Sequence, residues 1–376
     1  MSKKLKLFTV VGTRPEIIKL SEVIKKCDKY FDHVLVHTGQ NWDYTLNEIF
    51  FENFGLRKPD FFLDSVGTTL GETIGNIIAH SYALLEKERP DALLILGDTN
   101  SALCAISAKR LKIPIFHMEA GNRCFDENLP EEINRKIIDH ISDINLPYTE
   151  HARRYLLSEG ITKQNIFVTG SPMAEVIDKN MEKIKSSGIL NELGLKKDSY
   201  ILVSAHREEN IDNEANFNSL MKALNDIAET YQMPIIYSMH PRTQDRLNKR
   251  NIKLHKLIKN LKPFGFFDYN RLQLDSFCVL SDSGTLAEES SILGFSGVSL
   301  RTSTERPEVI DKGSFIIGGI NTHDIVQSIE LAREMKANAE VALTALDYQD
   351  KNVSVKVVKI IQSYTKLVNQ NTWHKT

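Results

Sequence analysis

Short, β-rich apolar runs alternate with longer amphipathic segments along almost all of the 376 residues, and this alternation constrains the fold more than any other feature. The runs in the first half are LFTVV at 7–11, HVLVH at 33–37, ALLIL at 92–96, IPIFHM at 113–118 and IFVT at 166–169. YILVSAH at 200–206, PIIYSMH at 234–240, FCVLSD at 277–282, GVSL at 297–300 and SFIIGG at 314–319 follow. Runs that are apolar throughout, rather than at every second residue, suit strands covered on both faces. Between them lie helical patterns at 15–27, 99–111, 131–142, 213–231, 285–293 and 323–335. Strand and helix in alternation predict parallel sheets in an α/β, doubly wound architecture.

About ten strands are many for one open sheet, and a chain of this length holds about two domains. Turn chemistry at Gly170-Ser171-Pro172, followed by a polar stretch at 179–199, sets the expected junction near Gly170. The expectation is a first domain over 1–170 and a second over 171–353. A final helical segment, 354–376, is expected to pack back on the first domain.

Composition narrows the function classes. Hydrophobic residues are 41% and charged residues 26%, which excludes disordered, collagen-like and disulfide-stapled chains. The net charge of -2 supplies no long-range field for nucleic acid or an anionic membrane, so neither is an expected partner. Cys27, Cys104, Cys124 and Cys278 form no C-x-x-C pair, which excludes a zinc ribbon and suits a reducing cytosol. No apolar run reaches the ~20 residues of a membrane span. The opening MSKKLKLFTVVG imitates a signal peptide, but its apolar stretch is too short and meets Arg14 and Glu16. The expected location is the cytoplasm.

In folds of this kind ligands sit outside the carboxyl ends of the strands, so the residues just after each apolar run matter most. Gly12-Thr13-Arg14-Pro15-Glu16 follows the first run. Gly12 permits a tight turn, Pro15 suits a helix start, and Arg14 offers a fork-shaped donor for phosphate. The same residues also fit an ordinary strand–helix turn with a solvated arginine. Neither G-x-G-x-x-G nor G-x-x-x-x-G-K-[ST] occurs, so a nicotinamide cofactor and a P-loop ATPase are disfavoured. Gly67, Gly71 and Gly75 read as helix packing or loop. Asp282-Ser283-Gly284 opens the segment at 285–293, where the N–H groups of Ser283 and Gly284 would face an anion. Glu289, one turn in, would reach ribose hydroxyls. The bland alternative is that Asp282 or Ser283 only caps the helix.

Acid–base candidates concentrate in the first domain. Asp98 ends the run ALLILGD, Glu119 ends IPIFHMEA, and Glu131 and Glu132 follow Asn128-Leu129-Pro130 at a helix start. Acidic residues in a first turn complement the macrodipole for ~0.3–1 kcal/mol, an account that suits Glu132 better than Glu131. Asp98, Glu119 and Glu131 on one crevice rim suggest a proton-transfer site in which mutual repulsion raises one pKa. His206 ends YILVSAH with Arg207 beside it; a purely structural histidine is the alternative.

Eight short motifs then occur in order: G-T-R-P-E-x-x-K at 12–19, T-G-Q at 38–40, G-D-T at 97–99, E-A-G-x-R at 119–123, P-E-E-x-N-R at 130–135, H-R-x-E at 206–209, D-S-G-x-x-x-E-E at 282–289 and T-E-R-P-E at 304–308. Each alone is weak, but the series resembles the non-hydrolysing UDP-N-acetylglucosamine 2-epimerases over nearly the whole chain. The resemblance implies two Rossmann-like domains facing a cleft (the glycosyltransferase-B arrangement), commonly as a homodimer. It implies a UDP-activated amino sugar as substrate, with UDP mainly on the second domain and no metal or other cofactor. The C2 proton of such a sugar has no adjacent carbonyl to acidify it. Departure of UDP from C1 builds positive charge instead, and loss of the C2 proton gives a 2-acetamidoglycal to which UDP adds back. Residue by residue, the resemblance gives the proton work to Asp98, Glu119 and Glu131. His206 joins this catalytic set at the leaving diphosphate. Arg14, Lys19, Arg207, Ser283 and Gly284 hold the substrate, and Glu289 the ribose.

Two departures from the D-glucosamine enzymes refine this expectation. The stretch AGNRCFDENLP at 120–130 is shorter than their loop, which begins A-G-L-R. It resembles the UDP-N-acetyl-L-fucosamine synthase branch of capsule and O-antigen synthesis, which epimerises UDP-2-acetamido-2,6-dideoxy-L-talose at C2. Where bacterial D-sugar enzymes carry T-G-Q-H and G-Q-T-L for a second, activating nucleotide sugar, this chain reads TGQN at 38–41 and GTTL at 67–70. An activator site is therefore not expected. A glycosyltransferase of the same fold shares the UDP site but has no need of three carboxylates, and neither has a non-catalytic nucleotide-sugar-binding protein.

Overall fold

The computed structural model describes residues 3–39, 48–127, 129–302, 304–340 and 344–375. Gln40, Asn41 and Asn128, which belong to the motifs above, lie outside the described residues.

Among the described residues, twelve strands form two parallel six-stranded sheets. The first contains β1 (Lys6–Val11), β2 (Asp32–His37), β3 (Phe61–Phe62), β4 (Ala92–Leu96), β5 (Ile115–Met118) and β6 (Ile144–Leu146), in the order β3-β2-β1-β4-β5-β6. The second contains β7 (Ile201–Ser204), β8 (Ile235–Ser238), β9 (Ile258–Leu261), β10 (Cys278–Ser281), β11 (Gly297–Ser299) and β12 (Ile316–Ile317). Read from its other edge it has the same winding, β9-β8-β7-β10-β11-β12. Each sheet therefore has a topological switch point, between β1 and β4 and between β7 and β10, where doubly wound folds place their ligands.

The apolar runs become central strands because helices cover both faces. All five residues of β4 are buried, as are all four of β10. The helix Arg14–Tyr30 turns Ile17, Leu20, Val23, Ile24 and Cys27 inward, a 3.6-residue stripe. In the second sheet's core, Val203, Leu224, Ile235 and Leu280 pack in one cluster. Each such side chain contributes about 1.5–3 kcal/mol by leaving water.

The chain divides into two compact units, Met1–Asp178 with Asp347–Thr376, and Lys179–Leu346. The division falls beyond Gly170, inside the helix Pro172–Lys185, for a local reason. Glu175, buried in that helix, accepts hydrogen bonds from the Ser354 backbone at 2.8 Å and hydroxyl at 2.6 Å. These bonds fasten the start of the terminal helix Val353–Asn371, which packs on Arg14–Tyr30. Among the described residues no helix is long and apolar enough to cross a membrane.

Local differences from the sequence reading have physical causes. IFVT makes only an isolated bridge between Asn145 and Ile166 and is no strand. β3, β6 and β9 were not anticipated: β3 and β6 span two and three residues, and β9 carries Lys259 and Asn260 at a sheet edge. The pattern at 99–111 opens as a 3₁₀ turn, Asn100–Leu103, before the helix Cys104–Arg110.

Candidate functional site

In the first unit, β1 runs into a tight turn at Gly12. A Cβ there would collide with the hydroxyls of Ser101 and Thr38, which bond to each other at 2.8 Å, so only glycine fits. Thr13 is the N-cap of Arg14–Tyr30, and Glu16 completes a capping box. One Glu16 oxygen accepts from the backbone of Gly12 (2.8 Å) and Thr13 (2.7 Å) and from the Thr13 hydroxyl (2.9 Å). The other accepts from the Thr99 hydroxyl at 2.8 Å. Burial pushes the Glu16 carboxyl up to about 7, against the pull of these donors. Arg14 starts the helix with its guanidinium 5.8 Å from the Phe50 ring centre. Lys19, rather more than a turn further on, is buried.

Glu119 follows β5 with φ of 64°, a left-handed backbone that turns the chain sharply out of the sheet. Its carboxylate sits against the Lys19 ammonium at 2.8 and 2.9 Å and accepts from the Tyr148 hydroxyl at 3.2 Å. Asp98 follows β4 on the neighbouring strand and accepts from Arg135 Nε at 2.6 Å. A Cβ added at Gly97, the residue before it, would lie 3.8 Å from Glu119 Oε2, so the two strand ends are close. The repulsion expected among three clustered carboxylates is thus relieved at Asp98 and Glu119 by one cation each. Glu131 is exposed in the first turn of the helix Pro130–Ile141, outside these two ion pairs.

Glu132 corrects its assignment to the helix dipole. It is fully buried, accepts from the backbone of Cys124 and Phe125 at 3.2 Å each, and pairs with Arg135 at 2.9 Å. Burial raises its pKa, but the Cys124 and Arg135 donors outweigh that and hold it below the usual carboxylate range. Glu132 therefore staples the loop between Glu119 and Pro130 to the helix. Asp139, further along the same helix, ties Arg123 (2.8 Å) and His117 (2.9 Å) beneath Glu119.

In the second unit the candidates gather at the ends of β7, β10 and β11. Asp282 does not cap a helix. Its buried carboxylate accepts from the His206 and Arg207 backbones at 2.9 Å each and from Asn210 at 3.1 Å, joining two strand ends across the switch point. His206 is half-exposed, with Nδ1 3.7 Å from Asp282. Ser283 Oγ accepts from the Thr285 amide at 3.3 Å at the start of the helix Thr285–Leu293. Gly284 abuts Glu305, which binds Arg207 at 3.2 Å and Arg301 at 2.6 Å. Glu289 is buried and accepts from Gln273 at 2.6 Å.

Two constellations are therefore present, one per unit. The first has carboxylates fixed by cations at a switch point, able to give and take protons. The second has a guanidinium, an imidazole and a helix start, able to hold a polyanion. The family model described as UDP-N-acetylglucosamine 2-epimerase matches residues 25–362. The chain belongs to the UDP-N-acetylglucosamine 2-epimerase family. It is an isomerase, a UDP-sugar 2-epimerase.

The solved structure of UDP-N-acetylglucosamine 2-epimerase from Rickettsia bellii is 46% identical, with TM-score 0.92, covering 99% of this chain and 100% of that one. The Methanocaldococcus jannaschii UDP-GlcNAc 2-epimerase, solved in complex with UDP-GlcNAc and UDP, is 34% identical with TM-score 0.89 over 95% of this chain and 99% of its own. A Pseudomonas aeruginosa relative, UDP-2,3-diacetamido-2,3-dideoxy-D-glucuronate 2-epimerase, is 34% identical over 86% of this chain and 91% of its own. The two doubly wound, Rossmann-like sheets are thus the architecture of this 2-epimerase family.

In this epimerase Arg135, Tyr148, Gln273, Glu305 and Glu16 belong to the two constellations, and the sequence alone gives them no role. Arg135, Glu305 and Glu16 lie inside quoted motifs and were findable there. Tyr148 and Gln273 carry no local signal, because their partners are 29 and 16 residues away in the chain.

Proposed function

We propose that this epimerase interconverts UDP-2-acetamido-2,6-dideoxy-L-talose and UDP-N-acetyl-L-fucosamine at C2, by elimination of UDP to a 2-acetamidoglycal and re-addition. The observation that carries the proton chemistry is the Lys19–Glu119–Tyr148 cluster beside Asp98–Arg135. Two carboxylates on adjacent strand ends, each held by its own cation, suit removal of the C2 proton on one face and its return on the other. Glu131 joins them as a third acid–base group that remains open to solvent. Arg14, Lys19, His206, Arg207, Ser283 and Gly284 hold the diphosphate, and Glu289, steadied by Gln273, takes the ribose. The work is done by side chains alone, in a cytoplasmic homodimer that feeds capsule or O-antigen synthesis.

The choice of a 6-deoxy sugar rests on the short loop at 120–130. A second reading, UDP-N-acetylglucosamine to UDP-N-acetylmannosamine, is favoured by the Rickettsia bellii and Methanocaldococcus jannaschii relatives, which are named as UDP-N-acetylglucosamine 2-epimerases. Initial rates with the two UDP-sugars separate the readings. The L-fucosamine compound should turn over faster, without a lag that added UDP-N-acetylglucosamine abolishes; faster turnover of the glucosamine compound would establish the second reading.

A further inference from the structure

We propose that Glu16 is a positioning residue, whose buried carboxylate fastens the turn carrying Arg14 to the turn carrying Asp98 across the first switch point. The inference rests on the proposed function, because it assigns those two turns to diphosphate and proton chemistry. β1 and β4 pair only through Leu7–Ala92, Phe8–Leu93 and Thr9–Leu94. Their ladder therefore stops short of both turns, at the switch point where doubly wound folds place their ligands. Across that gap the Thr99 hydroxyl, one residue after Asp98, donates to Glu16 at 2.8 Å. The second oxygen of the same carboxylate gathers three donors from Gly12 and Thr13, immediately before Arg14. Glu16 is 1% exposed and so touches no substrate.

Four hydrogen bonds converge on the two oxygens. A glutamine with its oxygen toward Gly12 and Thr13 can keep Thr99 by donating its amide to that hydroxyl, whereas loss of the Thr99 hydroxyl, or truncation of Glu16 to alanine, unties the two turns. The relative placement of the diphosphate donor and the acid–base group then loosens, while the groups of the second unit remain intact. Such a change acts on kcat, since small misplacements of reacting groups cost on the order of 10- to 100-fold in rate.

The test uses full-length Thr99→Val, Thr99→Ser, Glu16→Ala and the Glu16→Ala/Thr99→Val double variant. C2 deuterium exchange is followed with UDP-N-acetyl-L-fucosamine and UDP-N-acetylglucosamine in D2O. Thr99→Val should lose about 10- to 100-fold in kcat with KM nearly unchanged. Thr99→Ser, which keeps the hydroxyl, should restore the rate, and the double variant should be no slower than Glu16→Ala. Wild-type kcat in Thr99→Val, or losses that multiply in the double variant, would overturn the proposal. A substrate-free arm follows hydrogen exchange at the Gly12 and Thr13 amides, which should quicken in Thr99→Val but not in Thr99→Ser. Unchanged exchange in Thr99→Val also overturns it. If Glu16→Ala fails to fold, the two Thr99 variants decide alone. Absence of C2 exchange in the wild-type protein instead sinks the proposed function, and the amide arm still decides the link.

Discussion

Lys19 and Glu119 are nearly stripped of water, at 6% and 13% side-chain exposure, and each charge offsets the cost of burying the other. Replacing Glu119 by Gln keeps the volume and the Tyr148 contact but removes the charge, so C2 exchange should fall by ~10²–10⁴. UDP binding, read as a thermal shift, should survive, because Glu119 is proposed to move a proton and not to hold the diphosphate. Conversely, Arg14→Ala and Ser283→Ala should each shrink the UDP-induced shift, which follows RT ln(1 + [L]/Kd). Unchanged shifts in both variants would remove them from the diphosphate site. At this scale the sequence was readable where a charged residue ends an apolar run, as with Asp98 and Glu119. It misled at Glu132, because a first-turn glutamate looks the same whether it faces water or staples a loop.

The helix Pro130–Ile141 is the element on which the first constellation depends. One side presents Arg135 to Asp98, Glu132 binds the loop that leaves Glu119, and Asp139 holds Arg123 and His117 beneath it. Glu132→Gln should cost about 1–3 kcal/mol, since it unpairs buried donors. The depressed pKa of Glu132 fixes the sign of its pH dependence. Its contribution is present above the ordinary carboxylate range and is lost as pH falls toward its folded value. The melting-temperature gap between wild type and Glu132→Gln should therefore narrow on acidification; a constant gap would contradict the charged staple. The helix was foreseeable from its apolar spacing and Pro130, whereas β3, β6 and β9 were not. Two or three residues carry no measurable period, and edge strands tolerate polar residues such as Lys259.

For the whole molecule, two buried groups of the first unit oppose each other in acid. Burial pushes the His37 pKa down to about 4, so its stabilising contribution is lost as pH falls from about 6.5 toward 4. Glu16 is pushed up to about 7, so it favours the folded state below about 4.5 and loses that effect as pH rises through about 7. Over the shared window the slopes cancel in part. Glu16→Gln should expose the His37 slope, giving stability that rises more steeply with pH between about 5 and 6.5 than in wild type. An identical slope in thermal melts would contradict these burial effects. The two-sheet architecture was legible because fully apolar runs and amphipathic segments repeat twice over. The Glu175–Ser354 bond that fastens the start of the terminal helix joins residues 179 positions apart and has no local pattern. The most direct measurement of the central claim is proton NMR at C2 of UDP-N-acetyl-L-fucosamine, incubated with the full-length protein in D2O. The account predicts loss of the C2 proton signal as deuterium enters, with the C2 epimer appearing alongside. Retention of the C2 proton, in this sugar and in UDP-N-acetylglucosamine, would contradict it.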